Sequence, residues 1–255
     1  MKKLFVLIAA ACMTCTAAFA QTVKPFKEGE RAVFLGNSIT DGGHYHSYIW
    51  LYYMTRFPDM PIRVFNGGIG GDTAYDMNKR LDGDIFAMKP SVLMVTFGMN
   101  DSGYFEYNGD KPKEFGEQKY QESIKNYQQM EKRFKDLPDT RIVMVGTSPY
   151  DETVQLKENT PFKTKNETIK RLVEYQKESA AKNNWEFTDL NAPMTAINQQ
   201  YQQKDPTFTL CGSDRIHPDN DGHMVMAYLF LKAQGFVGKE VADMEINANK
   251  KQAVK

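Results

Sequence analysis

Short apolar runs rich in Val, Ile and Phe alternate along the chain with longer amphipathic or polar stretches. Residues 31–35 (RAVFL) read as a strand that ends at Gly36. Residues 45–57 carry an aromatic face at helical spacing and predict a helix. A second strand is expected at 62–65, followed by a glycine-rich loop at 67–71. Asp72 or Thr73 would then cap a helix that runs to Leu81. Residues 91–97 (SVLMVTF) are almost continuously apolar, the pattern of a parallel strand covered on both faces. The series continues with a polar helix at 117–135, a strand at 141–146 and a helix at 166–182 begun by Thr164 or Asn166. A short strand at 186–189 and a closing helix at 221–234, stopped by Gly235, complete it. Such alternation predicts an α/β protein, a three-layer α/β/α sandwich on a flavodoxin-like parallel sheet.

The two ends depart from this pattern. Lys2 and Lys3 precede an apolar run at 4–11, and Ala18-Phe19-Ala20 is a small-x-small cleavage sequence. Together they read as a secretory signal peptide over 1–20. The apolar run falls short of the roughly 20 residues a spanning helix needs. The expectation is therefore a secreted or periplasmic protein with no stable membrane insertion after cleavage. Neither Cys12 nor Cys15 follows a convincing lipobox, which disfavours a lipoprotein. One domain is expected over 21–238, with 239–255 as a polar tail.

Charge and cysteine content narrow the classes further. The chain has 32 basic and 32 acidic residues, and such a balance gives no basis for nucleic-acid binding. Beyond the signal only Cys211 remains, so no internal disulfide and no cysteine-built zinc site is expected. A buried structural thiol is the favoured reading of Cys211 over a nucleophile. Nothing in the sequence decides the oligomeric state.

Candidate chemistry gathers where such a fold collects ligands, at the carboxyl ends of parallel strands. Gly36-Asn37-Ser38-Ile39-Thr40 follows the first strand, Gly70-Gly71-Asp72-Thr73 the second, and Gly98-Met99-Asn100-Asp101 the third. Ser213-Asp214-Arg215-Ile216-His217-Pro218 precedes the closing helix. A serine hydroxyl becomes nucleophilic when a neighbouring base takes its proton. Of four histidines, His217 has a carboxylate three residues earlier, Asp214, so one turn can hold acid against ring. Acyl transfer also needs donors aimed at a developing oxyanion. The backbone N–H groups of Ser38 and Gly71 and the amide of Asn100 are the candidates.

The cluster Gly67-Gly68-Ile69-Gly70-Gly71 is out of register with G-x-G-x-x-G, and no phosphate-loop motif occurs. His44 and His46 could pair on a metal with Asp41, but histidines lining or capping a cleft are the favoured reading, and no metal or organic cofactor is expected. His223, at the start of the closing helix, reads as structural. Trp50, Tyr52 and Tyr53 read as core packing of the first helix. Asn37, His44, Tyr104 and Phe105 are candidate substrate contacts.

The four blocks in this order resemble the SGNH hydrolase superfamily, the GDSL-like lipases and esterases, over about 32–231. The resemblance implies Ser38 as nucleophile, Asp214 and His217 as acid and base, and Gly71 and Asn100 as oxyanion donors beside the Ser38 amide. One position departs: the first block usually reads Gly-Asp-Ser and here carries Asn37. The nucleophile elbow of α/β-hydrolases, G-x-S-x-G, is not met, because Thr40 stands in its last place. The implied activity is hydrolysis of carboxylic esters on a small molecule or glycan, with removal of acetyl groups from carbohydrate as the leading form. Lipase, thioesterase or arylesterase action on short acyl esters is the alternative enzyme. A catalytically silent glycan-binding protein on the same scaffold is the alternative class.

Overall fold

Five parallel strands carry the molecule: β1 (Arg31–Gly36), β2 (Arg63–Gly68), β3 (Val92–Val95), β4 (Arg141–Gly146) and β5 (Glu186–Asp189). Their order in the sheet is β2-β1-β3-β4-β5. They belong to a computed structural model that describes residues 22–238 and two short strands, β6 (Glu245–Asn247) and β7 (Gln252–Val254). The expected signal peptide, with Cys12 and Cys15, lies outside the described residues. Within the expected tail, β6 and β7 pair antiparallel, an element the polar sequence did not suggest.

Every residue of β3 is buried, as its continuous apolar run requires. Along β1, Ala32 and Phe34 enter one core while Val33 and Leu35 enter the other, the period-two alternation of a strand covered twice. On the first face lie α2 (Tyr45–Arg56) and α7 (Asn220–Ala233), packing Ile49, Tyr53, Met226 and Phe230 against Phe34 and Met94. On the second lie α3 (Ala74–Arg80) and α4 (Pro112–Lys135), packing Met77, Tyr127, Met130 and Phe134 against Leu35 and Leu93. Helix α5 (Lys165–Asn183) contributes Ile169 and Val173 to the first core and Ala180 to the second. Each such fully buried aliphatic or aromatic side chain contributes about 1.5–3 kcal/mol. The result is the three-layer α/β/α sandwich expected.

Three local expectations need correction. Strand β2 runs on through Gly67 and Gly68, which pair with Leu35 and Gly36 of β1 rather than opening a loop. A Cβ at Gly68 would stand 2.2 Å from the backbone nitrogen of Asp41, so glycine here permits close approach and does not break the strand. Helix α4 begins five residues earlier than its polar pattern suggested, with Pro112 in the first turn, where its missing N–H costs nothing. Helix α6 (Asn191–Gln202) was not foreseen; its buried residues are Asn191, Met194 and Asn198, too few apolar positions to show a stripe.

Candidate active site

Ser38 opens a single helical turn, α1 (Ser38–Asp41), directly after β1. Asn37 caps that turn, its Oδ1 accepting the Ile39 N–H at 3.1 Å. The Ser38 N–H thus lies in the first turn of a helix, where backbone donors lack intrahelical partners. The turn folds back tightly on the sheet: a Cβ on Gly36 would meet Thr40 Oγ1 at 2.1 Å.

His217 Nε2 lies 2.8 Å from Ser38 Oγ, and His217 Nδ1 lies 2.5 Å from Asp214 Oδ2. Asp214 Oδ1 accepts the backbone N–H groups of Ile216 (2.8 Å) and His217 (2.9 Å), so both carboxylate oxygens are committed. Partial burial pushes the Asp214 carboxyl up, but the hydrogen bonds from the His217 ring, its backbone and Ile216 outweigh this and hold it below the ordinary value. The bond to Asp214 raises His217 above 6.5, partly opposed by burial. Among the four sequence blocks, this one is anchored by a residue not singled out in the sequence. Arg215, 2% exposed and at φ 69°, donates to the carbonyls of Asp151 (3.1 Å), Val154 (2.7 Å) and Asn159 (2.5 Å).

The other two blocks are tied to each other through Asn100 and Asp72. Gly71 sits at φ 84° in the exposed turn between β2 and α3, a conformation glycine adopts without strain. Thr73 then caps α3 in a reciprocal capping box with Asp76. Asn100 Nδ2 donates to the Asp72 carbonyl at 2.9 Å, leaving its second amide hydrogen for a ligand. Tyr104 donates its hydroxyl to Asn100 Oδ1 at 2.5 Å. Buried Asp101 accepts from the N–H groups of Gly98 (3.0 Å) and Ala74 (2.9 Å) and from the Ser123 hydroxyl (3.0 Å). Burial raises its carboxyl, and these bonds oppose the rise. Arg80 joins the second block to the first, donating to Asp72 Oδ2 (2.6 Å) and to the carbonyls of Gly67 (2.8 Å) and Gly36 (3.2 Å). An activated serine can attack an acyl carbonyl, and oriented N–H donors can stabilise the oxyanion that forms.

A cleft of 570 Å³ opens at Ser38 and His217, walled by His44, Asp219, Asp221 and His223. His44 meets this expectation of a cleft position, its ring stacked on Tyr48 and edge-on to His223. His223 is buried, and burial, with His44, His46 and His217 nearby, pushes it down to about 4, so it is neutral near pH 7. His46 has its Nε2 3.2 Å from the Thr40 carbonyl. Asn37, by contrast, is 1% exposed; its Oδ1 caps α1, while its Nδ2 is buried without a hydrogen-bond partner. Tyr104 engages Asn100, and Phe105 lies 79% exposed with its ring edge-on to Phe162. Trp50 is exposed rather than packed in the core, whereas Tyr53 is buried. Cys211 is wholly buried, its thiol pushed up to about 12 by burial, and its Sγ lies 3.2 Å from the Pro149 carbonyl, an inert setting. Among the described residues no helix is long and apolar enough to cross a membrane.

A flavodoxin-like sheet bearing Ser38, His217 and Asp214 in hydrogen-bonded series defines the class: a serine-type carboxylic ester hydrolase. The GDSL-like lipase/acylhydrolase family model matches residues 34–225, and the chain belongs to that family. An acetylxylan esterase of Geobacillus stearothermophilus is 27% identical over 224 residues, covering 82% of this chain and 95% of that protein. A solved structure of an acetylxylan esterase from the same organism superposes with a TM-score of 0.66 at 24% identity, over 83% of this chain and 96% of that one, and shares the fold. A gut microbial diltiazem-metabolizing enzyme of known structure is 86% identical, with a TM-score of 0.88 over 92% of this chain. The match covers 53% of that enzyme, so the chain spans about half its length.

Proposed function

We propose that this chain is an exported acetylesterase acting on carbohydrate by a two-step acyl transfer at Ser38. The observation that carries the mechanism is the continuous series Ser38 Oγ to His217 Nε2 (2.8 Å) and His217 Nδ1 to Asp214 (2.5 Å). Ser38 Oγ attacks the ester carbonyl carbon while its proton passes to His217 Nε2. The N–H groups of Ser38 and Gly71 and the Asn100 amide receive the oxyanion. The tetrahedral intermediate collapses, and the alcohol leaves with the proton from His217. Water, deprotonated by the same nitrogen, then cleaves the acyl-serine and releases the carboxylic acid. Asp214 keeps the ring in the required tautomer and stabilises the imidazolium. The carbohydrate reading is supported by the similarity to an acetylxylan esterase across nearly its whole length. Export is supported by the signal-like sequence at 1–20.

Ser38→Ala and His217→Ala should each lose at least about 10³-fold in kcat on p-nitrophenyl acetate while keeping the wild-type circular dichroism spectrum. Full activity in either variant would overturn the assignment. Acetate release from acetylated xylan, pectin and sialosides, set against esters of longer acyl chains, tests the substrate; preference for the longer chains would remove the carbohydrate reading. A second reading is cleavage of a small drug-like ester, favoured by the 86% identity to a diltiazem-metabolizing enzyme, and diltiazem therefore belongs in the same panel.

A further inference from the structure

Lys165 is the first residue of α5 and is wholly buried. A cation is unfavourable at the amino end of a helix and in a dry interior. The preceding Thr164 adopts φ 69° and makes no side-chain cap bond, so the helix start is strained as well. Burial pushes the ammonium down to about 7, opposed by the carboxylates of Asp101 and Glu152. These unfavourable features have one evident counterpart. Lys165 Nζ donates to the Met99 carbonyl (2.7 Å), the Ser102 hydroxyl (2.6 Å) and the Gly103 carbonyl (2.5 Å). Its three acceptors flank Asn100 on both sides. The Ser102 hydroxyl, in turn, donates to the Met99 carbonyl at 2.9 Å. The same ammonium lies 3.9 Å from the ring centroid of Tyr104, whose hydroxyl orients the Asn100 amide.

We infer that Lys165 is a positioning residue that holds the loop at 99–103, and through it the Asn100 amide, in its oxyanion-donating orientation. The inference rests on Asn100 acting as an oxyanion donor. A neutral side chain of similar length fills the same space but leaves the carbonyls of Met99 and Gly103 without this donor. The loop then loses the tie that fixes Asn100 against Tyr104. Misplacement of a reacting group by about 1 Å costs on the order of 10²-fold in rate.

The test is a double-mutant cycle of Lys165→Met with Asn100→Ala, read as kcat and KM on p-nitrophenyl acetate, with thermal melts of each protein. Lys165→Met is expected to lower kcat about 10–100-fold with KM within twofold. Asn100→Ala is expected to lower it about 10²–10³-fold. The double variant should be no slower than Asn100→Ala alone, because Lys165 has nothing left to position. Wild-type kcat in Lys165→Met beside a slow Asn100→Ala would overturn the inference and leave Asn100 in its role. Losses that multiply would also overturn it, since they assign Lys165 a general structural part. Wild-type kcat in Asn100→Ala would remove the oxyanion reading itself. Should Lys165→Met not fold, Lys165→Leu, which likewise removes every donor, enters the same cycle under the same criteria.

Discussion

Replacing Asp214 by Asn changes one atom in the series behind Ser38, and the structure dictates which way the new amide must point. Asp214 Oδ1 accepts two backbone N–H groups, at 2.8 and 2.9 Å, and Oδ2 faces His217 Nδ1. If the amide oxygen turned to the ring, its NH₂ would face both backbone donors, giving up two hydrogen bonds of about 0.5–1.5 kcal/mol each. The oxygen therefore stays on the backbone, and the NH₂ faces His217 Nδ1. An amide donor there requires Nδ1 to be the acceptor, which places the ring proton on Nε2. That nitrogen then offers Ser38 a hydrogen when it should take one. The wrong tautomer in an equivalent series costs on the order of 10⁴ in kcat, about 5 kcal/mol of barrier. The assay is kcat/KM on p-nitrophenyl acetate from pH 5 to 9. In the wild type the base must be neutral, and its bond to Asp214 raises His217 above 6.5. Activity should therefore rise with pH through a value above 6.5. Without the carboxylate that support is gone, so the residual activity of Asp214→Asn should rise at lower pH. A variant within tenfold of wild type, or an acid limb that stays in place, would refute the argument.

Two further substitutions probe how the site is held. Arg215→Met removes the donors that meet the carbonyls of Asp151, Val154 and Asn159, and leaving buried acceptors unpaired should lower stability by about 3 kcal/mol in urea unfolding. The same change should lower kcat, since Asp214 and His217 flank the anchor; a loss under about 1 kcal/mol would mean the carbonyls find other partners. Gly68→Ala drives a Cβ against the backbone of Asp41 and should cost about 1–3 kcal/mol while displacing Ser38, so both the melting temperature and kcat fall. An unchanged melt and rate would show that the strand end yields without moving α1.

How much of this was legible in the sequence depends on what each residue's partner is. Strand β4 matched its expected bounds to the residue, because its central positions 142–145, buried in the sheet, are all Val, Ile or Met. Strand β2 was cut short, because glycine reads as a loop residue whether it permits a turn or makes room for α1. In the site, Asp214 and His217 could be paired from spacing alone, since the carboxylate bonds a side chain three positions away. Tyr104 and Asn37 were named for contact with substrate; within the protein their partners are the Asn100 amide and the Ile39 N–H, bonds that no motif spacing announces. Lys165, Arg80 and Arg215 left no readable trace, because what they bind is mainly backbone carbonyl. Every residue carries a carbonyl, so a cation that binds one imposes no residue type at any spacing. A motif therefore exposes the groups that would meet the substrate and conceals those that hold them in place. The sign of the second kind is a physical contradiction, a charge buried at the start of a helix or an arginine at positive φ, and it becomes visible only once burial and backbone angles are known. Lys165 and Arg215 both carry that sign: Lys165 donates to the backbone on either side of Asn100, and Arg215 is part of the backbone between Asp214 and His217.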